Sequence, residues 1–220
     1  MEVIFYILII PVILLGAVIF REKHYAFLSL CVLVLACVPF FASFERKNTD
    51  VKKLVLMAVM TALAVVGRIA FAALPGFKPV GAIVVITALY FGGEAGFITG
   101  AAGALISNFY FGQGPWTPFQ MCAFGLIGLF AGILSKPLRE NSLFLFIYGA
   151  VCGIAYSLFL DLWTVTYTYG GISWGYYSAL IVTSLSFTIE YAVSNIVFLL
   201  ILTRPVGKIL QRVKTKYGIQ

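Results

Sequence analysis

The chain has 220 residues, 62% hydrophobic and only 10% charged, with a mean hydropathy of +1.04. A water-soluble domain carries roughly 45–50% apolar and about 25% charged residues, so a soluble fold is excluded and lipid must solvate most of the surface. The net charge of +7 lies in short loops and at the C-terminus, which fits topology control and contact with anionic lipid and gives no reason to invoke nucleic acid.

A membrane-crossing helix needs about 20 apolar residues. Runs at 3–20 and 25–43 predict an N-terminal transmembrane hairpin, residues 1–44. The first run is not read as a signal peptide. It lacks a basic leading region, Glu2 being its only preceding charge, and it has no small-residue cleavage site. A charged linker follows at 45–53. Six further spans are predicted at 54–74, 79–92, 95–111, 118–135, 143–163 and 178–203, forming a six-helix core over 54–203. A basic tail, 204–220, closes the chain. The predicted fold class is therefore an all-α, polytopic membrane helix bundle.

Placing the 45–53 linker in the cytoplasm puts eleven cations on that side: Arg46, Lys47, Lys52, Lys53, Lys136, Arg139, Arg204, Lys208, Arg212, Lys214 and Lys216. The other side keeps three, Arg21, Lys23 and Lys78, and Arg68 falls within a span. The positive-inside rule then predicts a plasma-membrane protein with both termini cytoplasmic and the basic tail on the inner leaflet.

Small residues punctuate the core. Gly96, Gly100 and Gly103 in one span, and Gly125, Gly128 and Gly132 in the next, predict close backbone packing. Ala58 and Ala62 form another small pair, which serves either packing within the bundle or docking of another membrane protein. Cys31, Cys37, Cys122 and Cys152 all lie in apolar runs without CxxC spacing, so they read as small buried hydrophobes rather than as a disulfide or metal framework.

Polar side chains inside a membrane are costly, so each is a functional candidate. Arg68, Asn108, Gln120 and Asp161, from four different spans, reach a similar outer depth. Gln113, Trp116, Trp163, Tyr167, Tyr169 and Trp174 stand at or above them, in or near two uncharged aromatic loops at 112–118 and 164–177. Aromatic walls with a few orienting polar groups suit a small-molecule site. Two plainer readings coexist with it: an aromatic belt at the membrane surface, and an Arg68–Asp161 pair that neutralises two buried charges. Glu190 is expected near mid-membrane with Asn195 about a turn beyond, as a proton or cation relay or as an interhelical hydrogen bond. Glu94 is expected to be solvated.

Several chemistries are missing. The chain has no GxxxxGK[ST] phosphate loop, no HExxH and no GxSxG elbow, and His24 is its one histidine. No metal site or bound cofactor is expected. A transport subunit that relies on partners for energy fits best. A membrane enzyme of lipid or isoprenoid metabolism using Asp161 and Glu190 is the competing class, but it predicts paired acidic motifs facing the cytoplasm. A pure scaffold is the third, and it predicts no ligand.

The stretches 76–86, 91–100 and above all 107–120 (SNFYFGQGPWTPFQ) resemble the S components of energy-coupling factor (ECF) transporters. The resemblance spans the last six predicted helices, and the N-terminal hairpin departs from it. It implies a subunit that binds a vitamin from outside and docks on an ECF transmembrane coupling subunit. Two cytoplasmic ATPase subunits supply ATP hydrolysis, and the S component topples to release its cargo. It further implies that Ala58 and Ala62, at AxxxA spacing in the first core helix, meet the coupling subunit. The 112–118 loop is similar to S components associated with corrinoid (cobalamin) uptake, which makes a corrinoid the leading substrate, with riboflavin or another vitamin as the alternative.

Overall fold

The computed structural model describes residues 51–169 and 172–218, with positions 10–12, 15 and 31; for Tyr169 only the backbone is described. The rest of the predicted hairpin and linker lies outside the described residues. Eight helices are described: α1 (Val51–Ala70), α2 (Val80–Phe91), α3 (Gly93–Phe111), α4 (Thr117–Ile133), α5 (Ser135–Glu140), α6 (Ser142–Tyr169), α7 (Trp174–Thr183) and α8 (Leu185–Tyr217). Regions of α1, α6 and α8 are long and apolar enough to cross a membrane.

α2 is the pivot of the bundle. Its twelve residues extend about 18 Å at 1.5 Å each, well short of a bilayer core. It is apolar all round, as a helix enclosed by others must be, and every residue but Tyr90 is buried. It packs against α1, α3, α4, α5, α6 and α8. Pro79 precedes it and Gly92, at φ +91°, ends it, so the chain reverses directly into α3. The larger core cluster surrounds α2, and a smaller one forms between α3 and α4 around Phe97, Phe119 and Met121. Ile10 packs against the smaller cluster.

The glycines do what their spacing predicts. A Cβ on Gly128 would lie 2.3 Å from the carbonyl carbon of Gly96, and one on Gly132 would lie 2.1 Å from the Gly93 nitrogen. On Gly100 it would meet the Phe124 carbonyl oxygen at 2.4 Å. α3 and α4 therefore touch backbone to backbone. Gly103 differs: it faces Ala64 of α1 at an ordinary 3.7 Å. Gly153, outside the glycine repeats of α3 and α4, does the same work between α6 and α8, where a Cβ would stand 2.4 Å from the Ala192 nitrogen.

Four expectations need correction. The last predicted span, 178–203, is broken at Ser184 into α7 and α8, and α8 then runs on through Pro205 into the basic segment. The loop expected around Lys136 and Arg139 is the short helix α5. The aromatic segment 164–177 is mostly helical, because α6 continues to Tyr169 and α7 starts at Trp174. Glu94 is half-buried in the first turn of α3 rather than solvated. Cys122 and Cys152 are buried and unbridged, as expected of small hydrophobes.

Candidate functional site

At the end of the bundle that carries the 71–79 segment, a cavity opens between α1, α2, α4, α6 and α8. It encloses about 70 Å³ and opens to the surface at its mouth, a smaller space than the roughly 300–1,000 Å³ typical of small-molecule sites. Arg68 and Gln120 line it, together with Phe124, Tyr156, Tyr191, Ser194 and Asn195, and Pro75, Gly76 and Lys78 close its rim. The walls are aromatic: the rings of Phe124 and Tyr156 lie 4.5 Å apart, and those of Tyr156 and Tyr191 meet edge-on at 4.9 Å.

Arg68 is held by neutral groups. Its Nη1 donates to Ser107 Oγ and to Asn108 Oδ1 at 2.8 Å, and its guanidinium lies 4.7 Å from the Phe111 ring centre. Asn108 Nδ2 in turn donates to Thr117 Oγ1 at 3.0 Å and Gln120 Oε1 at 2.9 Å. Gln113 is the outer brace: its Nε2 donates to the Leu105 carbonyl, and its Oε1 accepts from Thr117. A continuous chain of bonds thus runs from the 112–118 loop through Asn108 to the two polar groups that face the cavity. Buried polar groups must be satisfied, and a connected network holds them in one geometry.

The anticipated Arg68–Asp161 pair is not formed. Asp161 Oδ2 accepts from Ser184 Oγ at 2.6 Å, on the α6–α7/α8 side. The break at Ser184 places that hydroxyl opposite Asp161, which the expected unbroken span did not reveal. Trp116 packs edge-on against Trp163 at 6.0 Å, and Trp163 stacks on Tyr167 at 5.5 Å. These three flank the site without lining the cavity. Trp174 is 72% exposed at the start of α7, and the side chain of Tyr169 lies outside the described residues. Of the ten predicted site residues, the structure joins Arg68, Asn108, Gln113 and Gln120 into one network and brings Arg68 and Gln120 to the cavity.

The 71–79 segment is tied down onto α8. Glu190 Oε2 accepts the Gly76 N–H at 2.9 Å, so Glu190 stands at the rim and not at mid-membrane. Its depth follows from α8 starting at Leu185, only a turn and a half earlier. Ser194 Oγ accepts the Lys78 N–H and donates to the Lys78 carbonyl, both at 2.9 Å. Phe71, Phe77 and Phe198 pack ring to ring, with Phe198 5.0 Å from each of the other two. Burial and the nearby Arg68 charge lower the Lys78 ammonium pKa below its usual value, against a smaller opposing effect of Glu190.

Ser194→Ala removes both bonds to Lys78. At about 1 kcal/mol each, their loss raises amide exchange at residues 76–78 on the order of tenfold, measured by hydrogen–deuterium exchange. Unchanged protection would show that the aromatic contacts alone hold the segment.

Tyr156, Tyr191 and Ser194 were not picked out from the sequence. Tyr156 and Ser194 sit in apolar helices where nothing local separates them from core residues, and Tyr191 follows Glu190, whose depth was misjudged.

Fold and cavity together define a membrane-embedded helix bundle with a polar and aromatic cavity at one end. Residues 48–212, most of the chain, match the family model described as ECF-type riboflavin transporter, S component, and the chain belongs to that family. No curated protein and no solved structure matches it. The protein is thus a multi-pass bacterial membrane protein and a transporter component, not an enzyme, and membership implies work alongside ECF coupling and ATPase subunits. Among the described residues no group of three His, Cys, Asp or Glu side chains is placed to hold a metal.

Proposed function

We propose that this chain captures a flavin, with riboflavin as the lead substrate, in the cavity between Arg68 and Tyr191, and delivers it to an ECF coupling module. The cavity is the observation that carries the reading. Its aromatic walls suit a flat heterocycle, and Arg68, Gln120, Ser194 and Asn195 supply polar groups for a ring edge and a hydroxylated chain. The family that the chain belongs to is described as riboflavin-transporting. A corrinoid, which the 112–118 loop first suggested, is much larger than an isoalloxazine and would require a greater opening of this cavity of about 70 Å³. That loop is spent on bracing Asn108 and Gln120.

In this reading the cavity end faces outward, in keeping with the charge bias, and the 71–79 segment admits the ligand. Ala58 and Ala62 are exposed on an open apolar groove between α1 and α3, which supports their assignment as the surface that meets the coupling subunit.

Calorimetry of the purified chain in detergent tests the substrate against riboflavin, cobalamin and a panel of small vitamins. One-to-one riboflavin binding is expected. Arg68→Ala and Tyr156→Ala each weaken it by about tenfold or more, as loss of a hydrogen bond to a charged group or of a stacking ring does. Trp116→Ala and Asp161→Asn, further from the cavity, weaken it less. Trp174→Ala leaves it unchanged. Binding of cobalamin alone would replace the flavin assignment, and full affinity in Arg68→Ala and Tyr156→Ala would reject the site.

A further inference from the structure

The end of α8 lies outside the cavity and the α1–α3 groove, yet its surface is organised. Arg204, Lys208, Arg212 and Lys216 recur every fourth residue, and all four are exposed. Beside them, one residue on and so about 100° around the helix, runs a second exposed row. It contains Ile201, Pro205, Ile209 and Tyr217, with Ile209 61% exposed. The remaining face is buried against the bundle through Gly207 and Leu210.

The helix end is held at the edge of the bundle and does not project freely. Lys52 Nζ, in the first turn of α1, donates to the Tyr217 carbonyl at 3.2 Å. Lys214 Nζ donates to the Tyr90 carbonyl at the end of α2 at 3.0 Å. A Cβ on Gly207 would meet the Tyr90 hydroxyl at 2.3 Å. At 33 residues α8 is about 50 Å long, against a hydrocarbon core of about 30 Å. Its last three turns therefore lie at the level where α1 begins, the boundary between acyl chains and headgroups.

A row of cations next to a row of exposed apolar side chains is poorly matched to water alone and poorly matched to hydrocarbon alone. It matches a boundary where apolar groups meet the acyl edge and long basic side chains reach phosphates. We propose that residues 201–217 of α8 form a binding surface for anionic phospholipid headgroups. The lipid phosphates would lie along Arg204, Lys208, Arg212 and Lys216, with Ile209 and Tyr217 seated at the acyl boundary. An acidic partner subunit is the rival occupant. It would use the cations but would leave the exposed apolar row without a function, so the lipid is favoured.

The test uses the full chain reconstituted in phosphatidylcholine membranes. Electron spin resonance compares the association of spin-labelled phosphatidylglycerol with that of spin-labelled phosphatidylcholine. Wild type is expected to prefer phosphatidylglycerol severalfold, and 1 M salt is expected to abolish most of that preference by screening. The quadruple variant R204Q/K208Q/R212Q/K216Q is expected to lose about fivefold or more of the preference, since even one cation at an anionic surface contributes about that factor. All four side chains are exposed, so the variant should keep the wild-type melting temperature in phosphatidylcholine, and R204Q/R212Q serves as the milder second variant. Equal preference in wild type and both variants would overturn the proposal. So would a wild type without preference whose quadruple variant fails to assemble with the ATPase subunits, an outcome that would assign the row to a protein partner.

Discussion

Ala62→Trp, alone or with Ala58→Trp, abolishes substrate uptake in cells that supply the coupling module, while ligand affinity of the purified chain stays within about twofold of the parent, as for a typical exposed substitution. The separation of effects follows from geometry. Ala58 and Ala62 are exposed on α1, facing an apolar groove bounded on its other side by Ile98, Ala102 and Ile106 of α3. Among the described residues nothing fills that groove, so an indole there is expected to cost the isolated protein little. It would, however, hold any partner helix several ångströms away, and helix association in lipid depends on close packing rather than on a hydrophobic drive. The cavity lies at the other end of α1, at Arg68. Uptake by the tryptophan variant at the parental rate would remove this face from the docking assignment. Loss of binding together with uptake would mean that the substitution disturbs the fold, and Ala62→Leu would then repeat the test with a smaller side chain.

Gly128→Val gives no folded protein, whereas Gly103→Ala is close to neutral, as read by yield and by thermal unfolding in detergent. Both glycines belong to the repeated small-residue pattern of α3 and α4, and the sequence does not distinguish them. Their surroundings do. A Cβ on Gly128 would stand 2.3 Å from the Gly96 carbonyl carbon and 2.4 Å from its oxygen. Main-chain atoms of a packed helix cannot swing aside as a side chain does, so the cost exceeds the roughly 1–3 kcal/mol of ordinary overpacking. Parting α3 from α4 would also strain the Asn108 to Thr117 and Gln120 bonds that bridge them. A Cβ on Gly103 would meet only the Ala64 methyl, at 3.7 Å. A stable, ligand-binding Gly128→Val protein would show that α3 and α4 separate more easily than their contact implies.

The 107–120 stretch, the most recognisable part of the sequence, is support rather than wall except at Gln120, which lines the cavity. Gln113, Thr117 and Asn108 hold one another, and through Gln120 and Arg68 they set two groups of the cavity. A motif can therefore point to a cavity while most of its residues stand a layer behind the wall. Other polar groups that meet the cavity directly, Tyr156, Tyr191, Ser194 and Asn195, come from α6 and α8. They are single polar atoms in apolar runs, and such atoms carry no local pattern.

The sequence by itself determined the solvent, the helical class and the close packing of α3 on α4. Each is set by quantities additive along the chain: apolar content, run length and the spacing of small residues. The ECF resemblance was equally local, carried by contiguous stretches between residues 76 and 120. Only the tertiary structure decided that Arg68 turns to Ser107 and Asn108 while Asp161 turns to Ser184, because partner choice depends on which helices are neighbours and on where α7 gives way to α8. It also decided the depth of Glu190 and the level of the basic end of α8. Hydropathy reports whether a segment prefers lipid, but its start and tilt are fixed by contacts such as Glu190 with Gly76 and Lys52 with Tyr217, between residues more than a hundred positions apart.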